Sequence, residues 1–254
     1  MPEVIFEQKG NVLWITLNRP KKLNSISAQM FQDITQKLLD AATDDSILLV
    51  VLTGGDCKYY SSGSDFSPAE LSQFSADFGQ SLHYKLFCDV VVDFPKLIIS
   101  LVNGHAFGIS VTTLGLMDLI IAKDTATFKC PFSNIGLCPE GISSYTFVNT
   151  LGHQTASRLL LFAETLTAQE ALQCGLISKI VPADKFHEVT TKMIEGYSKL
   201  SPESLLAGKK LMRPKALRNQ MLTVNAREET DLKALFMHPK TIERLSNMFN
   251  KSKI

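Results

Sequence analysis

A lone acidic residue between two turn formers, Pro139-Glu140-Gly141, follows two glycine-marked loops in this chain. The first loop reads Tyr59-Tyr60-Ser61-Ser62-Gly63-Ser64-Asp65-Phe66, and the second Val102-Asn103-Gly104-His105-Ala106-Phe107-Gly108-Ile109-Ser110. Glycine at a strand end lets main chain come close to a ligand. Two such loops can aim two backbone N–H groups at one oxygen, which stabilises a developing enolate or oxyanion. The carboxylate supplies what those donors lack, a group that moves protons. Together the three segments point to proton abstraction beside a carbonyl. Each also has a plainer reading. Either glycine loop alone favours an ordinary turn, whereas both in order favour a site. Glu140 on its residues alone favours a surface carboxylate capping a helix opened by Gly141-Ile142-Ser143.

Other reactive side chains are read as structural. Cys138 stands near Glu140 but has no histidine near it in sequence, so it reads as a small apolar wall residue. Cys57, Cys88, Cys130, Cys138 and Cys174 are odd in number and contain no C-x-x-C pair, which suits reduced thiols. The five histidines show no metal-ligand spacing, and no metal is expected. His105 reads as a turn histidine. Lys251 and Lys253 read as a solvated basic tail.

These residues need elements to hold them. Val12–Asn18 alternates as a strand and pairs with Val4–Glu7. Ser27 caps a helix over Ala28–Ala42 with Phe31, Ile34, Leu38 and Ala42 on one face. Ile47–Thr53 and Leu97–Val102 are continuous apolar runs, as in strands buried on both faces. Ser67-Pro68-Ala69-Glu70 has the pattern of a capping box, and a helix is expected over Leu82–Val92. A helix over Ile109–Met117 would turn its positive dipole end toward Gly108. Leu119–Ala122, Ala126–Phe128 and Leu176–Val181 read as strands, and Thr155–Phe162 as a helix. Thr167-Ala168-Gln169-Glu170 is a second capping box, with Gly175 ending its helix. From Asp184 the chain reads as helical. The pattern predicts an α/β chain with a mainly parallel sheet over 1–195 and a helical region over 196–254.

Composition narrows the function classes. The 254 residues are 45% hydrophobic and 20% charged, as in a globular protein with one large core. A net charge of +1 gives no electrostatic case for nucleic acid or an anionic membrane. The apolar run at Leu114–Ala122 is too short to span a bilayer and contains Asp118. The N-terminus carries no charged-then-apolar signal pattern. Ser252-Lys253-Ile254 differs from the S-K-L peroxisomal address only in its last residue.

At these residues the chain resembles the crotonase, or enoyl-CoA hydratase/isomerase, superfamily over essentially its whole length. Asn18-Arg19-Pro20 with Asn24 resembles the opening motif. Ser61-Ser62-Gly63-Ser64-Asp65 and Asn103-Gly104-His105-Ala106-Phe107-Gly108 resemble the two oxyanion loops. Thr167-Ala168-Gln169-Glu170-Ala171, then Gly175-Leu176-Ile177, resembles the late helix and strand. Pro131 through Gly141, with Ser143-Ser144-Tyr145, is similar to the peroxisomal type of Δ3,Δ2-enoyl-CoA isomerase.

The resemblance implies a crotonase-like spiral of ββα turns with a C-terminal helical region that drives trimerisation. It implies an isomerase of fatty-acid β-oxidation that moves a 3-cis or 3-trans double bond of an acyl-CoA to 2-trans. The backbone N–H groups of Ser64 and Ile109 would form the oxyanion hole, and Glu140 would be the acid/base. Ser62, Gly63, Asp65, Phe66 and Gly108 would line the substrate. Ser64 stands where the family often has alanine, a change its backbone role tolerates. Thr112 and Phe132 stand where the family's hydratases keep two glutamates, so hydration is expected to be poor. The helix with His83 and Tyr84 would line the acyl pocket or its mouth. No cofactor is expected, CoA being part of the substrate. Expected partners are copies of the chain, as a homotrimer or dimer of trimers, and a peroxisomal import receptor; otherwise the location would be mitochondrial or cytosolic. The family's N-terminal acyl-CoA-binding domain is not expected here. A hydratase or thioester hydrolase, or a silent scaffold of the same fold, are the alternatives.

Overall fold

The fold is that of a computed structural model, which describes residues 2–71 and 82–251. Among the described residues, ten strands form two sheets. Strands β1 (Val4–Lys9), β2 (Val12–Leu17), β3 (Leu49–Thr53), β5 (Leu97–Val102), β7 (Leu119–Lys123) and β10 (Lys179–Val181) lie side by side in that order. All neighbours in this sheet are parallel except the β1–β2 hairpin. The second sheet has the order β4 (Tyr59–Ser61), β6 (His105–Phe107), β8 (Thr127–Lys129), β9 (Thr165–Thr167). Strands β4, β6 and β8 run parallel, and β9 is antiparallel to β8.

The two sheets are built together. A strand of the large sheet passes through a short turn into a strand of the small one, then into helical structure; β3–β4, β5–β6 and β7–β8 repeat this step. The chain therefore climbs as a ββα spiral, the architecture the resemblance implied. The apolar runs explain the large sheet. In β3, Val50 and Leu52 face one core while Leu49 and Val51 face another, and in β5 Ile98 and Val102 oppose Ile99 and Leu101. Alternate side chains point to opposite faces of a strand, so a strand covered on both sides must be apolar throughout.

Helix α1 (Ala28–Thr43) closes one face with Met30, Phe31, Ile34, Leu38 and Ala41. As predicted, Ser27 caps it, its hydroxyl accepting the Met30 N–H at 3.3 Å. Helix α2 (His83–Asp93) packs on α1. Next come a short α3 (Ile109–Thr112), α4 (Phe132–Ile135), α5 (Ser143–Leu160) and α6 (Ala168–Gln173). Helices α7 (Phe186–Tyr197), α8 (Pro202–Met212), α9 (Lys215–Phe236) and α10 (Pro239–Lys251) complete a helical C-terminal region. No helix among the described residues is long and apolar enough to cross a membrane.

Several local expectations are corrected. The Ser67–Glu70 box does not close: Glu70 Oε2 accepts the Ala28 N–H of α1 at 2.9 Å, and the Ser67 N–H donates to Asp65 Oδ1 instead. The helix expected through Met117 makes one α turn, then tightens into a 3-10 turn over Thr113–Leu116. So short a helix has little macrodipole, and its first N–H groups act as local donors. The Thr155–Phe162 helix instead starts at Ser143 and bends at Gly152. The strand expected from Leu176 begins at Lys179. The second box is as expected, with Thr167 and Glu170 capping each other's amides.

Two buried asparagines hold the crossing between the sheets. Asn24 accepts the Arg19 N–H at 2.9 Å and donates to the carbonyls of Gly54 at 3.1 Å and Tyr59 at 3.2 Å. Asn103 accepts the Gly54 N–H at 2.8 Å and donates to the Cys57 carbonyl at 2.7 Å. Asn103→Ala leaves both backbone groups without their partner, at about 1–3 kcal/mol for each orphaned group. Urea unfolding should show a lower midpoint with an unchanged m value.

Candidate active site

The first donor is set by strand alternation. Segment 63–65 pairs with Ile26 as a single parallel bridge. The Ile26 N–H donates to the Gly63 carbonyl at 2.8 Å, and the Asp65 N–H donates to the Ile26 carbonyl at 2.9 Å. Those peptide groups face Ile26, so the Ser64 N–H faces the other way. The second donor is the opening amide of α3. Val111 and Thr112 both donate to the Gly108 carbonyl, at 2.9 and 3.1 Å, which leaves the Ile109 N–H outside the helical pattern. Among the described residues, neither the Ser64 nor the Ile109 amide has a protein acceptor.

Both flanking glycines are required by backbone geometry. Gly63 has φ +90°, and a Cβ there would lie 2.8 Å from the Phe107 carbonyl oxygen. Gly108 has φ +55° and ψ −126°, a conformation closed to residues with a Cβ. Ser110 fastens one loop to the other: its hydroxyl accepts the Phe107 N–H at 3.0 Å and lies 3.0 Å from the Ser61 carbonyl.

Glu140 meets these loops from a third direction. A small cavity is lined by Ser62, Gly63, Ser64, Phe66, Gly108, Ile109 and Glu140, with Phe132 on its wall. A larger cleft shares Ser64, Phe66 and Glu140 with it and adds Asp65, His83 and Tyr84 among apolar neighbours. The structure thus brings every sequence-predicted site residue to one connected region. Asp65 is on its edge with its carboxylate committed, paired to Arg19 at 3.0 Å. Burial opposes ionisation of Asp65, but the Ser67 N–H and the Arg19 guanidinium outweigh it and hold its carboxyl below the usual range. His105 lies in β6, bonded to Thr127 Oγ1 at 2.8 Å, and lines neither cavity.

Glu140 is only 7% exposed. The surface-capping alternative is therefore corrected, and the cap comes from elsewhere. Gly141 and Ile142 take consecutive left-handed conformations, φ +69° and +66°, which turn the chain into α5. A β-branched residue there costs about 1–3 kcal/mol and persists only where neighbours enforce it. Glu228 of α9 enforces it. Its two oxygens accept the Ile142 N–H at 2.6 Å and the Ser144 N–H at 2.9 Å. Its neighbour Glu229 accepts the Leu82 N–H at 2.6 Å, at the start of α2. One helix thereby caps the two that flank the cleft.

Sequence reasoning missed Glu228 and Glu229. A signal existed: Met221, Asn225, Glu228 and Leu232 recur at helical spacing along one buried stripe, two of them polar. A polar residue on an apolar stripe implies a buried partner, although spacing alone does not name it.

Electrostatics set Glu140 apart. Burial, then the nearby Glu228 carboxylate, push its carboxyl from the ordinary 4.5 up to about 8. Among the described residues no hydrogen bond or ion pair reaches that carboxylate. The Tyr84 hydroxyl is buried without a partner among the described residues, and burial followed by the Glu140 charge raise its proton affinity well above normal. Burial and Glu140 also push the Cys138 thiol up to about 12, so it stays protonated, as a wall residue should. Thr112 bonds its own helix, donating to the Ile109 carbonyl at 3.2 Å, and Phe132 is buried. Among the described residues, Glu140 is therefore the sole carboxylate lining the smaller cavity. Two free amides and one proton-accepting side chain face the same space, the requirement for generating and holding an enolate.

Comparisons with known proteins supply the chain's relatives. Residues 7–253 match the family model described as enoyl-CoA hydratase/isomerase. An uncharacterised protein of Caenorhabditis elegans is 52% identical over 98% of this chain and 96% of its own length. Rat enoyl-CoA delta isomerase 2 is 38% identical over 98% of the chain, which spans 63% of that relative. Mouse peroxisomal enoyl-CoA delta isomerase 3 is 38% identical over 89% of this chain and 71% of its own. The crystal structure of an enoyl-CoA hydratase/isomerase from Pseudoalteromonas atlantica superposes with a TM-score of 0.89 at 26% identity, covering 98% of both chains.

The Glu140 carboxyl gives stability a pH dependence of definite sign. Between pH 4.5 and about 8 the folded chain keeps a proton that the unfolded chain releases. The stability due to the neutral form is full below that window and is lost as pH rises through it. Glu140→Gln cannot ionise. Its melting temperature should therefore rise relative to the wild type as pH climbs through the window, by the equivalent of a few kcal/mol at the alkaline end. Thermal melts at matched pH check this.

Proposed function

The chain belongs to the enoyl-CoA hydratase/isomerase family, and from that we propose that it isomerises 3-cis or 3-trans enoyl-CoA thioesters to the 2-trans form. The observation that carries the reading is the lone buried carboxylate in a cavity lined by two unpaired amides. In the proposed cycle the thioester oxygen accepts hydrogen bonds from the Ser64 and Ile109 N–H groups. Ionised Glu140 takes a proton from C2, and the C–H electron pair moves into the C1–C2 bond as charge collects on the oxygen. The resulting dienolate is protonated at C4 by the same carboxyl group. Charge returns to the carbonyl and the double bond rests between C2 and C3. A base of raised proton affinity suits this cycle, because it must hold the proton for the lifetime of the intermediate.

Supporting this choice, the family resemblance aligns Thr112 and Phe132 with the two glutamates of the hydratases, and neither can act as a base. Asp65 and Glu70 also line the larger cleft, but are engaged with Arg19 and the Ala28 N–H. The names of the rat and mouse relatives favour isomerisation. No cofactor is proposed beyond the CoA carried by the substrate. A trimer-based assembly is proposed too, supported by apolar Leu211 and Met212 standing 81% and 80% exposed at the end of α8. Division into a 1–195 core and a 196–254 helical region is kept as a proposal. So is peroxisomal import through a receptor, supported by the mouse relative's name and by Ser252-Lys253-Ile254, which lies outside the described residues. A reporter fused to that tail should be punctate in cells; diffuse signal would rule the address out.

Offered 3-enoyl-CoA and 2-enoyl-CoA separately, the protein should convert the first to 2-trans product and add water to the second slowly. Rapid hydration without isomerisation would overturn the reading. Glu140→Gln should lower kcat/KM about 10²–10⁴-fold. In the wild type, kcat/KM should fall with one-proton slope as pH drops below about 8, because the base must start ionised. Gly108→Ala forces a Cβ into a backbone conformation that excludes it and displaces the Ile109 donor, so kcat should fall about 10²–10³-fold.

A further inference from the structure

Glu228 lies 86 residues from the Ile142 amide it binds. Its two oxygens take up the two N–H groups that open α5, where no side chain of α5 itself forms a cap. Between them Ser143 bonds back to Glu140, its hydroxyl donating to the Glu140 carbonyl at 2.7 Å. The main chain of Glu140 is thus tied to the residues Glu228 holds. The two carboxylates flank the same left-handed turn, one in front in the cavity and one behind in α9.

We propose that Glu228 is a positioning residue for Glu140: it clamps the Gly141-Ile142 turn that aims Glu140 into the cavity, and it acts on the Glu140 carboxyl through its charge. This rests on the reading of Glu140 as the proton carrier.

The other titratable groups facing Glu140 leave this task to Glu228. From α2 come Tyr84 and Cys88, from the end of β8 Cys130, and from its own loop Cys138; burial raises the proton affinity of all four, so they stay neutral. From α9, Glu229 is occupied by the Leu82 N–H and by Lys233 at 3.3 Å. Burial raises the proton affinity of Glu228 as well, and the hydrogen bonds from Ser144 and Ile142 and the Arg227 charge offset it only in part by stabilising the carboxylate. No cation contributes to the shift at Glu140.

The test separates charge from shape. Glu228→Gln keeps the size and one acceptor but removes the charge and turns an NH₂ group toward a backbone N–H. Glu228→Asp keeps the charge and shortens the reach. Carboxyl ¹³C NMR of the ligand-free protein, assigned with Glu140→Gln, reads the Glu140 titration without reference to turnover. Glu228→Gln should lower its midpoint by about one pH unit, a tenfold change in proton affinity. The acid limb of kcat/KM should move down by the same amount, and kcat should fall roughly tenfold as the turn loosens. Glu228→Asp should lower kcat while leaving the Glu140 midpoint in place. A folded Glu228→Gln protein with an unmoved Glu140 titration overturns the proposal, even if it melts earlier or turns over more slowly.

Should Glu228→Gln not fold, Glu228→Ala supplies a second test. It removes the same charge without setting an NH₂ group against a backbone N–H. The Glu140 midpoint must again fall by about one pH unit, and an unmoved midpoint overturns the charge coupling. Full turnover by Glu140→Gln would instead refute the proposed mechanism and leave the titration result intact.

Discussion

Glu140 carries its carboxyl into an apolar cleft, where the charged form loses its hydration and a second carboxylate stands behind it. Both effects favour the proton-bound state. In water a glutamate at neutral pH is almost wholly ionised and a poor proton carrier. Here the bound and free states are of comparable free energy near physiological pH, which allows one residue to accept a proton and return it. The same burial weakens the fold at alkaline pH, so this property is held against stability and requires a rigid frame.

The frame comes from the spiral. Each ββα step ends a strand of the small sheet beside the one before, so loops separated by more than forty residues in sequence become neighbours. Parallel pairing of β4 with β6 brings Gly63 against Phe107 and Gly108. The donors need no dedicated side chains. One is the amide left over by strand alternation opposite Ile26, the other the amide left over by the start of α3. Because each belongs to a fixed hydrogen-bonded segment, neither must reorganise when an oxygen gains charge. Asn24, Asn103 and Ser110 keep the segments in register by satisfying backbone groups that cross between sheets.

Helix α9 completes the site from a distance. Asn225 reaches the Lys85 carbonyl and Asp89 of α2, Glu228 caps α5, and Glu229 caps the start of α2. A polar row inside a helix interface is costly, and although Asn225 Oδ1 has no partner among the described residues, the other bonds specify one docking position where apolar packing would allow sliding. The C-terminal region thereby holds the turn that directly follows Glu140.

Much of this was legible in the sequence wherever the cause is local. Continuous apolar runs marked β3 and β5 because burial on both faces demands them. Ser27 and Thr167-Glu170 marked helix starts because caps act within three residues. The glycines at 63 and 108 marked close backbone approach because a missing Cβ is a property of the residue itself, and family resemblance placed Glu140 beside them. The failures share a physical reason. Glu70 had the right spacing to cap its own helix yet bonds α1, since a carboxylate takes the donor that folding brings nearest. The start of α5 was hidden because its cap comes from Glu228, across 86 residues. Sequence determined which residues are fit for this chemistry. Tertiary structure decided that Glu140 is buried instead of solvated, and that a second carboxylate stands behind it, because burial and charge proximity belong to no segment alone.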